Sequence, residues 1–176
     1  MAVEVLHEEK DHVFLWLGKD ESGLEEGVQS NQYLIVDSGQ GLLIDPGGFG
    51  VFSRVLVNLS HYIDPQSIRD IFLCHQDPDV GGSLGSWFEM TPATVHVSEL
   101  WIRFLLHYGV SDIKRFKGIP DGGGSLSFRQ VGKWTLSRLT FSIPPEIFIC
   151  LTMPPAFFLR AISGRRFIQK VRPRHL

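Results

Sequence analysis

After Asp121 the chain contains no aspartate, and Glu146 is its one remaining acidic residue. Apart from Glu146, every side-chain carboxylate of the sequence lies within residues 1–121. Cysteine is scarce as well: Cys74 and Cys150 both sit in apolar runs without CxxC spacing. They read as buried thiols in a reducing cytoplasm. The opening MAVEVLHEEKDH has neither a basic segment nor an apolar stretch behind it, so it does not read as a secretory signal. Long apolar runs are missing too. IFICLTMPPAFFL is too short for a membrane span and is divided by Pro154-Pro155. A net charge of -2 gives no general case for nucleic acid or an anionic membrane as partner.

What is present is a profile of 43% hydrophobic and 20% charged residues, enough in 176 residues to bury an ordinary core. Strand-rich VEVLH and HVFLWLG come first, followed by a loop over GLEEGVQS. NQYLIVD and GLLID predict a hairpin around Ser38-Gly39-Gln40-Gly41, ending at Asp45-Pro46-Gly47-Gly48. VFSRVLVNLSHYI has helical spacing, IFLC suits a buried strand, SLGSWFEM a short helix, and ATVHV a strand. SELWIRFLLHYG predicts a helix from Ser98 to a stop at Gly109. DGGGSL reads as a flexible loop, and LSFRQVG and KWTL as the arms of a hairpin. Strands alternating with helices behind antiparallel ribbons imply a layered α/β fold.

The stretch FLCHQDPDVGG, residues 72–82, carries the most chemistry. His75, Asp77 and Asp79 stand at every second position behind an apolar strand, so an extended backbone points all three to one face. Pro78 stiffens the loop, and Gly81-Gly82 let the backbone turn close to an ion. One imidazole with two carboxylates suits divalent iron, manganese or zinc, with iron favoured as carboxylates accumulate. The bland alternative is a capped loop, with Asp79 as N-cap of a helix beginning near Gly82.

NQYLIVDSGQGLLIDPGG, IFLCHQDPDVGG and SELWIRFLLHYG together resemble the metallo-β-lactamase fold. The closest branch is that of the oxygen-binding di-iron proteins and the di-iron module of flavodiiron proteins. The superfamily carries HxHxDH at this loop, and the flavodiiron branch HxExDH. The resemblance covers residues 28–136. It implies the N-terminal part of an αββα sandwich, over 1–136, with an atypical tail over 137–176 that reads as poorly ordered. It implies two iron ions, with His75 and Asp77 on one metal and Asp79 on the second. Val80 stands where the last histidine would be and cannot be a ligand. Asp45 matches the aspartate ending the strand in the family's IDPG-like turn, a residue that either serves the fold or supports a ligand. Dioxygen or a related small molecule is the implied ligand, with a signalling or electron-transfer partner, since the chain shows no flavin module.

The family needs further ligands later in the chain, yet the only later histidines are His96, His107 and His175. His96 and His107 read as packing or surface residues, and His175 belongs to the tail. Composition changes abruptly: residues 1–121 hold 18 acidic and 8 basic residues, and 122–176 hold one acidic and nine basic. Reading the codons from Ser137 in a shifted frame permits LHSPGN and FFAGDIG, which resemble the family's third-ligand loop and the strand ending in its bridging aspartate. A frameshift near Ser137 is therefore expected, with the site impaired in this chain. The basic KVRPRH is explained by the same shift. Two alternatives stand beside this reading. One is a zinc-dependent hydrolase of the same fold, against which Asp77 and Val80 in place of histidines argue. The other is a non-catalytic, decayed fragment.

Overall fold

In the computed structural model, the described residues are 3–18, 30–110, 112–120 and the strand segments 124–127, 133–138, 149–153, 157–162 and 165–170. The first compact unit, Met1–Gly118, is built on a sheet whose strands lie in sequence order. Strands β1 (Glu4–Glu9), β2 (His12–Trp16), β3 (Tyr33–Asp37) and β4 (Gln40–Ile44) form an antiparallel meander. β5 (Ile68–Phe72) and β6 (Thr94–Ser98) then join parallel to β4, and β7 (Phe116–Ile119) closes the row.

The expected hairpin is present, and two residues make its turn. Ser38 and Gly39 have φ of 47° and 76°, the left-handed pair that matches the natural twist of the flanking strands. The outermost strand β1 exposes Glu4, Glu8 and Glu9, charges that discourage edge-to-edge pairing. Toward the centre, residues 33–36 and 41–44 are all buried, as expected of strands covered on both faces.

The parallel connections need crossovers. α1 (Phe52–Ser60) supplies the first and buries Val55 and Leu59, one turn apart on the same side. α2 (Pro78–Gly81) and α3 (Leu84–Met90) supply the second, with Leu84, Trp87 and Phe88 buried. Arg115, just before β7, ties this layer together. It donates to the carbonyls of Phe88, Thr91 and Ala93 at 2.8–2.9 Å and lies 3.9 Å over the Phe88 ring. Burial of the guanidinium pulls its pKa below the ordinary arginine value, while Asp112 and Glu89 oppose that.

Two local expectations differ from what forms. The helix predicted from Ser98 to Gly109 shrinks to α4 (Ile102–Leu105) behind a 3-10 turn over Glu99–Trp101. Ser98 does act as N-cap, its Oγ accepting from Leu100 N. The helix stops early because the backbones of His107 and Tyr108 bond three residues back, and Tyr108 O accepts from Gly85 N. The second difference concerns Asp79, which caps no helix. Asp77 occupies the N-cap of α2, Asp79 lies in that helix's first turn rather than on the extended backbone expected through it, and Ser83 precedes α3.

The second unit, Ile119–Leu176, is a five-stranded antiparallel sheet in the order β12-β11-β10-β9-β8. β9 (Lys133–Arg138) covers the predicted arm KWTL, while its partner β8 (Gly124–Ser127) takes up the end of the stretch read as a loop and only the first two residues of LSFRQVG, whose remaining residues lie outside the described ones. β10 (Ile149–Met153), β11 (Phe157–Ile162) and β12 (Arg165–Lys170) fall where the sequence offered no steady period. Their runs are rich in aromatic and β-branched residues, which favour pairing even without clean alternation. The GLEEGVQS loop, His175 and the Pro-Pro pairs fall outside the described residues, Ser30 excepted.

Among the described residues no helix is long and apolar enough to cross a membrane.

Candidate metal centre

The loop bearing His75, Asp77 and Asp79 begins where β5 ends, and its first residues are pinned from both sides. Leu73 N donates to His96 O at 3.0 Å, on the neighbouring strand β6. Cys74 N donates to Asp45 Oδ1 at 2.8 Å, while Asp45 N donates to Phe72 O at 2.8 Å. Asp45 is buried and adopts φ of 51°, a left-handed conformation that aspartate tolerates better than most residues. It thus serves as a peg between β4 and β5, in keeping with the structural role implied by the IDPG-like turn.

Beyond the peg the three candidate ligands converge. His75, Asp77 and Asp79 each present one donor atom, and those atoms lie within 4.8 Å of one another. His75 Nε2 lies 3.4 Å from Asp77 Oδ2. His75 and Asp79 are half-buried, and Asp77 is exposed. Asp77 makes no side-chain cap bond, so the helix start does not take up its carboxylate. Pro78 sits at the first position of α2, where its missing N–H costs nothing.

The far side of the loop is held as firmly. Ser30 Oγ donates to Asp79 O at 2.6 Å, and Gly47 N donates to Val80 O at 2.9 Å. Ser83 Oγ donates to Gly47 O at 2.6 Å and accepts from Trp87 Nε1 at 3.1 Å. Gly48 is required by this contact, because a Cβ there would stand 2.9 Å from Pro78 O. Tyr108 closes the loop from a third direction, its hydroxyl donating to Gln76 O at 2.8 Å. Burial raises the Tyr108 pKa above its ordinary value, and the charges of Asp77 and Asp79 push it the same way.

Val80 is fully buried, facing the core rather than solvent. Among the described residues, the other histidines stand apart from the cluster. His96 is buried in β6 with Nε2 2.6 Å from Asp70 Oδ1, and His107 is exposed beyond α4. Among the described residues, His75, Asp77 and Asp79 are the one group of three or more such side chains placed to hold an ion. Two carboxylates and an imidazole nitrogen are the donor set a divalent iron accepts, and the two negative charges side by side are relieved by a cation. The residues therefore fit a metal. Sequence reasoning did not find Cys74, Ser30 or Tyr108 as supports. Ser30 and Tyr108 lie far along the chain, with no local pattern linking them to the loop.

A sheet of antiparallel then parallel strands with helical crossovers, carrying a histidine-aspartate loop after β5, defines a metallo-β-lactamase fold. A subclass B3 metallo-β-lactamase from a soil metagenome library shares it, with a TM-score of 0.60 at 13% identity over 88% of this chain and 58% of that one. A family model described as "ODP family beta lactamase" matches residues 28–139, and the chain belongs to that family. The chemotaxis sensor ODP, solved as a peroxy diiron species, is 37% identical with a TM-score of 0.70, covering 87% of this chain and 63% of that one. The apo state of the sensor from T. denticola gives 37% identity and a TM-score of 0.67, over 85% and 59%. Flavo-diiron protein FprA2 of Clostridium acetobutylicum is 29% identical over 97 residues, which is 53% of this chain and 24% of that protein. The chain thus spans less than two thirds of the length of these relatives.

Proposed function

We propose that this chain is an iron-binding module that meets dioxygen, with His75, Asp77 and Asp79 as the ligands it contributes. The observation that carries the reading is the convergence of those three donors within 4.8 Å, on a loop pinned by Asp45, Ser30 and Tyr108. The likeness to a chemotaxis sensor solved as a peroxy diiron species supports two irons as the metal and dioxygen as the ligand. Iron at this position supplies exchangeable coordination sites and the electrons that oxygen chemistry requires. The chain's own residues hold and orient: Asp45 and Tyr108 fix the loop backbone, and buried Val80 keeps one side of α2 in the core. Asp77, where zinc enzymes of the fold carry histidine, favours iron over zinc.

The same reading takes the site to be short of ligands. Residues 122–176 contain no aspartate, so this stretch offers no bridging carboxylate of that type. The family match ends at residue 139, two residues beyond Ser137, and this supports a shift of reading frame there. A three-ligand site replaces only part of an ion's water shell, so affinity is expected to be low. A signalling or electron-transfer partner in the cytoplasm completes the proposal.

Loading the chain with iron(II) under anaerobic conditions and then admitting air tests the function. A visible absorption band that grows on aeration supports it, and iron uptake without any band would overturn the oxygen role. Sequencing the gene through codon 137 tests the frame. A one- or two-base change that restores HSPGN and GDIG supports the shift, and an alternate frame without them ends it.

A further inference from the structure

The residue before the first ligand touches that ligand. Cys74 is buried, and its Sγ lies 2.9 Å from His75 Nδ1. The contact is not free to drift, because the Cys74 backbone is fastened by its N–H to Asp45 Oδ1. The other ring nitrogen, Nε2, faces Asp77 Oδ2 at 3.4 Å, on the side where the carboxylates gather. One imidazole nitrogen is thus occupied by protein and the other is presented to the site.

We infer that Cys74 is the positioning residue for His75, holding the imidazole through Nδ1 so that Nε2 is the nitrogen offered to a metal. A thiol suits this task because it both donates and accepts. Without a metal, Asp77 beside Nε2 favours the ring proton there, and the thiol S–H donates to Nδ1. When Nε2 binds a cation the ring's one proton resides on Nδ1, and the same sulfur accepts it. An apolar residue could satisfy neither arrangement. Partners of this kind, which touch the ligand and not the metal, typically change metal affinity about 10- to 100-fold when removed.

The inference rests on His75 being a ligand, and the test keeps the two apart. The full chain and its Cys74→Ser and Cys74→Ala variants are compared by iron(II) affinity and by the imidazole nitrogen shifts of His75 without metal. Serine also donates and accepts, so affinity within a few-fold of the parent is expected. Alanine is expected to weaken iron about 10- to 100-fold. It should also move Nδ1 toward the shift of an unbonded ring nitrogen, with the circular dichroism spectrum unchanged. If alanine leaves Nδ1 where it is in the parent, Cys74 does not position the ring and the inference fails. If serine loses as much affinity as alanine, hydrogen bonding is not the cause and the inference also fails. A shifted Nδ1 in a protein that binds no iron in any form supports the contact while removing the metal reading itself.

Discussion

Replacing Asp45 by alanine removes the acceptor for Cys74 N at the entrance to the loop that bears His75, Asp77 and Asp79. That N–H is buried behind β5, and leaving such a donor unsatisfied costs about 1–3 kcal/mol. Alanine must also hold φ of 51°, a strain of about 1 kcal/mol. Relief of a buried carboxylate's desolvation works against both, so the expected net loss sits at the lower end, about 2 kcal/mol. Asparagine keeps a side-chain carbonyl in the same place and tolerates the left-handed conformation, so Asp45→Asn should lose less than about 1 kcal/mol. Urea unfolding followed by tryptophan fluorescence measures both variants against the parent. The same samples, titrated with iron(II), should show weaker binding for alanine than for asparagine, because the loop is anchored at Asp45. The reasoning is refuted if alanine and asparagine are equally stable, since the acceptor would then contribute nothing.

Arg115→Ala strips three backbone carbonyls of their donor and is expected to cost about 2–3 kcal/mol in the same unfolding assay. Lysine at that position should recover less than half, as it lacks the fork that reaches all three. Gly47→Ala should cost clearly more than Gly39→Ala. Both glycines have positive φ, but a Cβ at Gly47 meets the Val51 side chain whereas one at Gly39 meets nothing. The raised pKa of Tyr108 gives an alkaline signature. Below pH 10 the phenol is protonated in both states. As pH rises above 10 the unfolded chain loses its proton first, so stability falls through the higher folded pKa. Tyr108→Phe should flatten that fall, and identical alkaline slopes for parent and variant would contradict the assignment.

Which parts of this structure can be read from sequence depends on how local their causes are. The β3–β4 hairpin follows from Ser38-Gly39, and α1 follows from the spacing of Val55 and Leu59. The His75–Asp79 loop is legible for the same reason, as all three candidate ligands lie within five residues behind a buried strand. The length of α4 is not legible, because bonds from the segment after it to Gln76 and Gly85 end the helix. Nor is the N-cap of α2 at Asp77 rather than Asp79, which turns on where Pro78 can sit in a helix. Strands β10 to β12 escape because their pattern lacks a period, and pairing between neighbours decides them instead.

In the proposed function His75, Asp77 and Asp79 hold iron. An anaerobic iron(II) titration of the full chain, set beside His75→Ala, Asp77→Ala and Asp79→Ala, tests it most directly. Saturable binding in the parent that weakens at least about tenfold in each variant, with unchanged circular dichroism, is the predicted result. Binding that is absent in the parent, or equal in all four proteins, would rule out these three residues as the iron ligands.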